Sequence, residues 1–299
     1  MKIFKNKKVI IIVSVVLIAA ILASVFMIKR INQKNNAWDT DNDGVLEILA
    51  IGNSFSSDAL AYVYKIAFDM GIKKIVVANL VIGGCSLELH AANAKGDRAA
   101  YAYNYDEKGM WEAIDNYKSS TALTSRTWDY VSLQQVSGSS GKAETYNEDL
   151  EYMINYVKEK APGAKLVWHM TGAYQQNSTK TSFGDYDFNQ MTMYNAITSA
   201  VQSKISPNEN IDIIVPAGTA VQNARTSSIG DNITRDGFHL SYDFGCYLAG
   251  LMFVRSVTGL PVDDVEFMPR GVEETERIIA VKAVEEAWRN PFEVTTIEK

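Results

Sequence analysis

Five short apolar runs, at residues 45–51, 74–81, 130–134, 165–170 and 211–215, are interleaved with longer stretches of helical periodicity at 59–70, 148–160, 191–204, 244–258 and 273–289. Runs of strand length spaced this far apart cannot be joined by tight hairpins. Parallel strands with helical returns are the arrangement that buries both the runs and the apolar stripes of the helices. The order therefore predicts a five-stranded parallel sheet covered by helices on both faces, formed by residues 45–299 as one domain. In such sheets, sites form beyond the carboxyl ends of the strands, so the residues after each run carry the functional information.

Composition narrows the function. The chain has 299 residues, 47% of them apolar, enough for one large core and too apolar for disorder. The first 36 residues hold seven Lys or Arg and no acid, so the formal charge of −6 becomes −13 for the rest. A body that acidic repels nucleic acid and anionic membrane surfaces. Two cysteines, Cys85 and Cys246, and three histidines form no cluster at metal-ligand spacing. Outside the cell the two cysteines would pair or remain as buried thiols, and the sequence leaves both readings open.

Residues 9–28 are apolar except for Ser14 and Ser24, and Lys29-Arg30 follows. Twenty such residues match one helical crossing of a bilayer. A cleaved signal peptide, processed near residues 21–23, is the alternative, but its apolar region spans only about 7–15 residues. Residues 1–30 are accordingly expected as a membrane anchor with the body outside the cell, or as the leader of a secreted protein. Residues 31–44, INQKNNAWDTDNDG, read as a polar tether. Asp39, Asp41, Asp43 and Gly44 imitate the start of a calcium loop, yet the twelfth position, where a bidentate Glu belongs, is Ala50. No metal is expected.

Gly52-Asn53-Ser54 follows the first run, Gly83-Gly84-Cys85-Ser86 the second, and Gln134-Gln135-Val136-Ser137-Gly138 the third. A serine at a strand-to-helix turn either caps the helix or acts as a nucleophile. The second reading needs a base and an orienting acid. Asp236-Gly237-Phe238-His239 supplies both, because a three-residue spacing with a glycine lets the carboxylate reach Nδ1 of the imidazole and leaves Nε2 free for a serine.

With these blocks in place the chain resembles the SGNH, or GDSL-type, serine esterase superfamily, most closely a bacterial group with GNSFS, GGCSLE, LQQ and DGxHLS motifs. The resemblance spans residues 45–260. It implies a flavodoxin-like three-layer α/β/α sandwich, a Ser54, Asp236, His239 triad, and an oxyanion hole from the backbone N–H groups of Ser54 and Gly84. The superfamily's third block usually supplies an Asn side chain. Here the strand ends Gln134-Gln135, and Gln135 is the expected third donor, with Gln134 the alternative one residue away on the other face. The α/β-hydrolase elbow G-x-S-x-G is excluded, since Ser56 stands where its second glycine would be.

The expected activity is that of an extracytoplasmic serine esterase, without cofactor, that removes small acyl groups, acetyl foremost, from carbohydrate. A lipid-ester or lysophospholipid hydrolase of the same fold, or a non-catalytic glycan-binding module, are the alternatives. His90 is read as a surface or packing residue and His169 as a hydrogen-bonded core residue. Residues 101–105, YAYNY, with Trp111 offer either a stacking platform for sugars or loop packing.

Overall fold

The computed structural model describes residues 37–298. The expected anchor at 1–30 and residues 31–36 of the expected tether lie outside the described residues. Among the described residues, no helix is long and apolar enough to cross a membrane.

The strands are β1 (Leu46–Gly52), β2 (Ile75–Val81), β3 (Tyr101–Asp106), β4 (Trp111–Tyr117), β5 (Tyr130–Leu133), β6 (Lys165–His169) and β7 (Ile213–Val215). They form one sheet in the order β4-β3-β2-β1-β5-β6-β7. The five expected strands are β2, β1, β5, β6 and β7, and they pair in parallel. Taken alone they run 2-1-3-4-5, the flavodoxin-like doubly wound order. The chain moves from β1 to β2 on one side and later to β5 on the other, and a crevice opens at that reversal.

Among the described residues the sheet has seven strands rather than the expected five. β3 and β4 add an antiparallel hairpin to its β2 edge. Alternation in Tyr-Ala-Tyr-Asn-Tyr puts Tyr101 and Tyr103 in the core. β4 is almost wholly exposed, which is why no apolar run marks it. Asp106 Oδ1 closes the turn by accepting from the N–H groups of Lys108, Gly109 and Met110. The aromatic segment is thus the inner strand of this hairpin, with Trp111 opening the edge strand β4.

Side-chain alternation gives each face its own core. Leu49, Ile51, Val76, Ala78, Leu80, Val131, Leu133 and Trp168 join one cluster with helices Leu87–Lys95, Glu148–Lys160 and Gln190–Lys204. On the opposite face, helix Phe244–Thr258 packs against Ser54–Leu60, Val63–Asp69, Ala217–Arg225 and Glu274–Arg289. Every residue of Phe244–Thr258 is buried, as a segment apolar on all sides requires. Its one charge, Arg255, meets Glu285 at 2.8 Å. The helix expected at 59–70 is two helices that break at Ala61-Tyr62.

His90 and His169 lie in the interior. His90 stacks on Tyr101 with Nδ1 3.0 Å from its hydroxyl, and His169 Nδ1 is 3.3 Å from Gln134 Oε1. Burial lowers each imidazole from 6.5 to about 4. Between those values the unfolded chain takes up protons that the folded chain refuses, so each histidine makes the fold less stable as pH falls through that window. Replacing His169 with Gln is expected to flatten the dependence of unfolding free energy on pH between about 6.5 and 4, by up to roughly 3 kcal/mol across the window. Urea denaturation at several pH values measures it, and parallel slopes for variant and wild type would contradict it.

Candidate active site

Asn53, not Ser54, caps helix Ser54–Leu60. Its Oδ1 accepts from Phe55 N–H at 3.0 Å and from Gln134 Nε2 at 2.9 Å, and its Nδ2 donates to Cys85 O at 3.0 Å. One amide thereby joins the turns after β1, β2 and β5. Gly52 is required beside it, because a Cβ there would lie 2.5 Å from Ser56 Oγ and 2.8 Å from Gln134 Oε1. With the cap provided by its neighbour, the Ser54 hydroxyl is left for another partner.

That partner is His239. Its Nε2 is 2.8 Å from Ser54 Oγ, and its Nδ1 is 2.6 Å from Asp236 Oδ2. A carboxylate only accepts, so Nδ1 carries the hydrogen and Nε2 accepts from the serine. Asp236 Oδ1 also receives the N–H groups of His239 (2.8 Å) and Phe238 (3.2 Å). Partial burial raises the Asp236 carboxyl, but these three hydrogen bonds outweigh it and hold the group below the ordinary carboxylate range. Gly237 has φ +88°, a conformation glycine adopts without strain. The ring of Phe238 sits 4.0 Å from that of His239.

An ion pair between the buried Asp58 and the more exposed Arg235 holds the two remote segments together. Asp58, one turn beyond Ser54 on the same helix, accepts from Arg235 Nη1 at 3.0 Å and from Leu240 N–H at 3.0 Å. Arg235 and Leu240 bracket the Asp236–His239 turn, so the serine's helix grips that turn on both flanks. Desolvation raises the Asp58 carboxyl more than Arg235 lowers it. Neither Asp58 nor Arg235 stands out in the sequence, since a lone acid in a short helix is ordinarily a solvated one.

Ser54, Gly84 and His239 line a cleft of about 570 Å³, together with Tyr174, Phe238 and the hydroxyls of Ser137, Ser139 and Ser182. Gly84 has φ +66° and nothing within 4 Å of where a Cβ would stand. Among the described residues, neither the Ser54 nor the Gly84 N–H donates to a protein acceptor.

Gln135, the expected third donor, is turned away from the cleft. Its Oε1 accepts from Leu87 and Val136 N–H, and its Nε2 donates to Thr145 O and Oγ1. Gln134, the alternative, is committed to Asn53 and His169. Both carboxamides brace loops because each is buried and a buried amide must find partners. Cys85 and Cys246 are buried free thiols, with burial pushing Cys85 up to about 12, which leaves it inert as a nucleophile. Asp39, Asp41 and Asp43 bring carboxylate oxygens within 4.8 Å of one another. Asp39 and Asp41 oxygens there receive N–H groups of Asp43 and Gly44. Ala50 lies within β1.

The parallel order 2-1-3-4-5 with helices on both faces defines a doubly wound α/β/α sandwich, with a serine at the turn after β1 and an Asp-x-x-His turn brought against it. Within that class, the chain belongs to the family described as "Domain of unknown function (DUF4886)", whose model matches residues 47–287. A DUF4886 family protein from Bacteroides uniformis is 38% identical, with a TM-score of 0.82 over 85% of this chain and 98% of that one. A candidate SGNH hydrolase from Slackia heliotrinireducens is 18% identical with a TM-score of 0.47, over 71% and 98% of the two chains. Axe2, an acetylxylan esterase from Geobacillus stearothermophilus, is 14% identical with a TM-score of 0.44, over 72% and 94%. Comparison with curated proteins returned no match.

Asn53→Ala removes the cap and leaves the buried amide of Gln134 without its acceptor. It is expected to lower the unfolding free energy by about 1–3 kcal/mol, read from the urea midpoint. A loss within experimental error would mean that the three turns do not depend on this amide.

Proposed function

We propose that the protein is a serine esterase acting outside the cytoplasm, which removes small acyl groups, acetyl foremost, from carbohydrate. The observation that carries the hydrolytic reading is the unbroken path from Ser54 Oγ through His239 to Asp236, with contacts of 2.8 and 2.6 Å. Supporting the sugar reading is a cleft edged by Ser137, Ser139, Ser182, Lys142, Lys180 and Asp185, groups that bind hydroxyls and charges better than acyl chains. The location rests on the apolar segment 9–28 with its basic flanks.

In this reading, His239 Nε2 takes the Ser54 proton as Oγ attacks the ester carbonyl. Asp236, already ionised, stabilises the imidazolium that results. The carbonyl oxygen develops negative charge between the N–H groups of Ser54 and Gly84, and His239 then returns the proton to the departing sugar alkoxide. Water hydrolyses the acyl-serine by the same steps in reverse roles. Asp58 acts by position, keeping the Asp236–His239 turn within reach of the serine. Gln135 serves as a brace in this scheme, and the oxyanion hole consists of backbone donors.

Purified protein is expected to react with a fluorophosphonate probe and to hydrolyse an activated acetyl ester. Ser54→Ala should abolish labelling and lower kcat by about 10⁴-fold or more, with the urea midpoint preserved. Equal turnover by wild type and Ser54→Ala would favour the glycan-binding alternative. Asp58→Asn is expected to lower kcat by roughly 10- to 100-fold, since a displacement near 1 Å at the base has that order of effect. An unchanged kcat would show that the turn holds its position without the ion pair.

A further inference from the structure

We propose that Lys180 makes the cleft selective for acyl esters of sugars that bear a carboxylate, as in uronic acids. The inference rests on the esterase reading above and adds a substrate class to it.

Three charged side chains edge the cleft, Lys142, Lys180 and Asp185. Lys142 and Asp185 satisfy each other at 2.7 Å. Among the described residues, Lys180 has no carboxylate partner. Its ammonium lies instead over the face of Phe238, 4.0 Å from the ring centroid. Among the described residues, the cleft lining therefore presents one cation without a direct carboxylate partner, on a body whose formal charge is −13 once the first 36 residues are set aside. An anionic substrate is repelled by the rest of that surface and attracted at this edge.

The cation is also held in place. An exposed lysine ordinarily samples many rotamers and recognises little. Here the contact with an aromatic face restrains it, and the backbone beneath it is tied by the Lys180 main-chain N–H donating to Ser178 Oγ at 3.4 Å. Phe238 is itself fixed, edge-on against Tyr174 at 5.7 Å and 4.0 Å from the His239 ring. Two successive 4.0 Å contacts thus connect the ammonium to the imidazole. Next to it, Ser182 Oγ and Ser137 Oγ share the Tyr174 hydroxyl at 3.2 and 3.0 Å, a row of hydroxyls suited to a sugar ring.

Which half of the ester meets Lys180 follows from the proton path. His239 must protonate the leaving oxygen, so the alcohol half lies on the imidazole's side of the cleft. Phe238 and Lys180 border that side. The charge read by Lys180 accordingly belongs to the sugar and not to the acyl group, and an ammonium at the edge of a sugar site meets a ring carboxylate.

A matched pair of substrates tests this with the full-length protein: monoacetylated methyl galactopyranosiduronate and monoacetylated methyl galactopyranoside, which differ in a carboxylate against a hydroxymethyl group. Wild type is expected to favour the acidic ester in kcat/KM by about five-fold at low salt, the effect of one partly exposed ion pair of ~1 kcal/mol. About 0.5 M NaCl should bring the ratio close to one by screening. Lys180→Gln should collapse the ratio at low salt, and Lys180→Arg should retain it. A wild-type ratio at or below one, or a ratio unmoved by Lys180→Gln, overturns the inference while leaving the esterase reading intact. Absence of turnover on both esters together with absence of fluorophosphonate labelling removes the esterase reading, and this one with it.

Discussion

The side chain of Asn53 is the constraint on which the rest of the site depends. Strand ends in an open parallel sheet emerge as separate loops, with no backbone ladder to relate them. One carboxamide has two acceptor positions and two hydrogens, enough to tie three such loops together, and Asn53 uses them on Phe55, Gln134 and Cys85. The same bonds cap the helix that begins at Ser54. A hydroxyl that would otherwise satisfy the helix end is thereby released toward the crevice. Gly52 belongs to this arrangement, since any side chain there would collide with Ser56 and Gln134.

The second requirement is to bring a turn from far along the chain against that hydroxyl and keep it there. Asp58 does so with charge, accepting from Arg235 and Leu240 on either side of the Asp236–His239 turn. Placing this carboxylate in a desolvated setting is unfavourable in itself, as its raised pKa records. The ion pair thus acts chiefly as a positional lock between two segments, with little net stabilisation to its account. Behind the turn, the imidazole has a Phe238 ring on it and Phe55 at 5.8 Å, which limit its rotation.

Much of this was legible in the chain itself. The parallel strands announce themselves because they are buried on both faces and read as continuous apolar runs, and the observed β1, β2, β5, β6 and β7 begin and end within two residues of those runs. The β3–β4 hairpin was not legible, because β4 is exposed and carries no apolar signature. Asp236 and His239 could be paired on paper, since three residues of chain determine what two side chains can reach. The glutamines could not. A period-2 argument says that Gln134 and Gln135 point in opposite directions, and it is silent on where the hydrogen-bond partners of each stand.

What the sequence determined, then, was everything governed by near neighbours: the strand and helix pattern, the Gly-Asn-Ser turn, and the Asp-x-x-His unit. Tertiary structure alone decided the rest. It set Asn53 as the cap in place of Ser54, withdrew Gln135 from the cleft, and joined Asp58 to Arg235 and Lys180 to Phe238. The reason is physical. Chain connectivity restricts groups a few residues apart to a handful of geometries, whereas residues 58 and 235 meet only because burying both faces of the sheet leaves their helix and turn nowhere else to go.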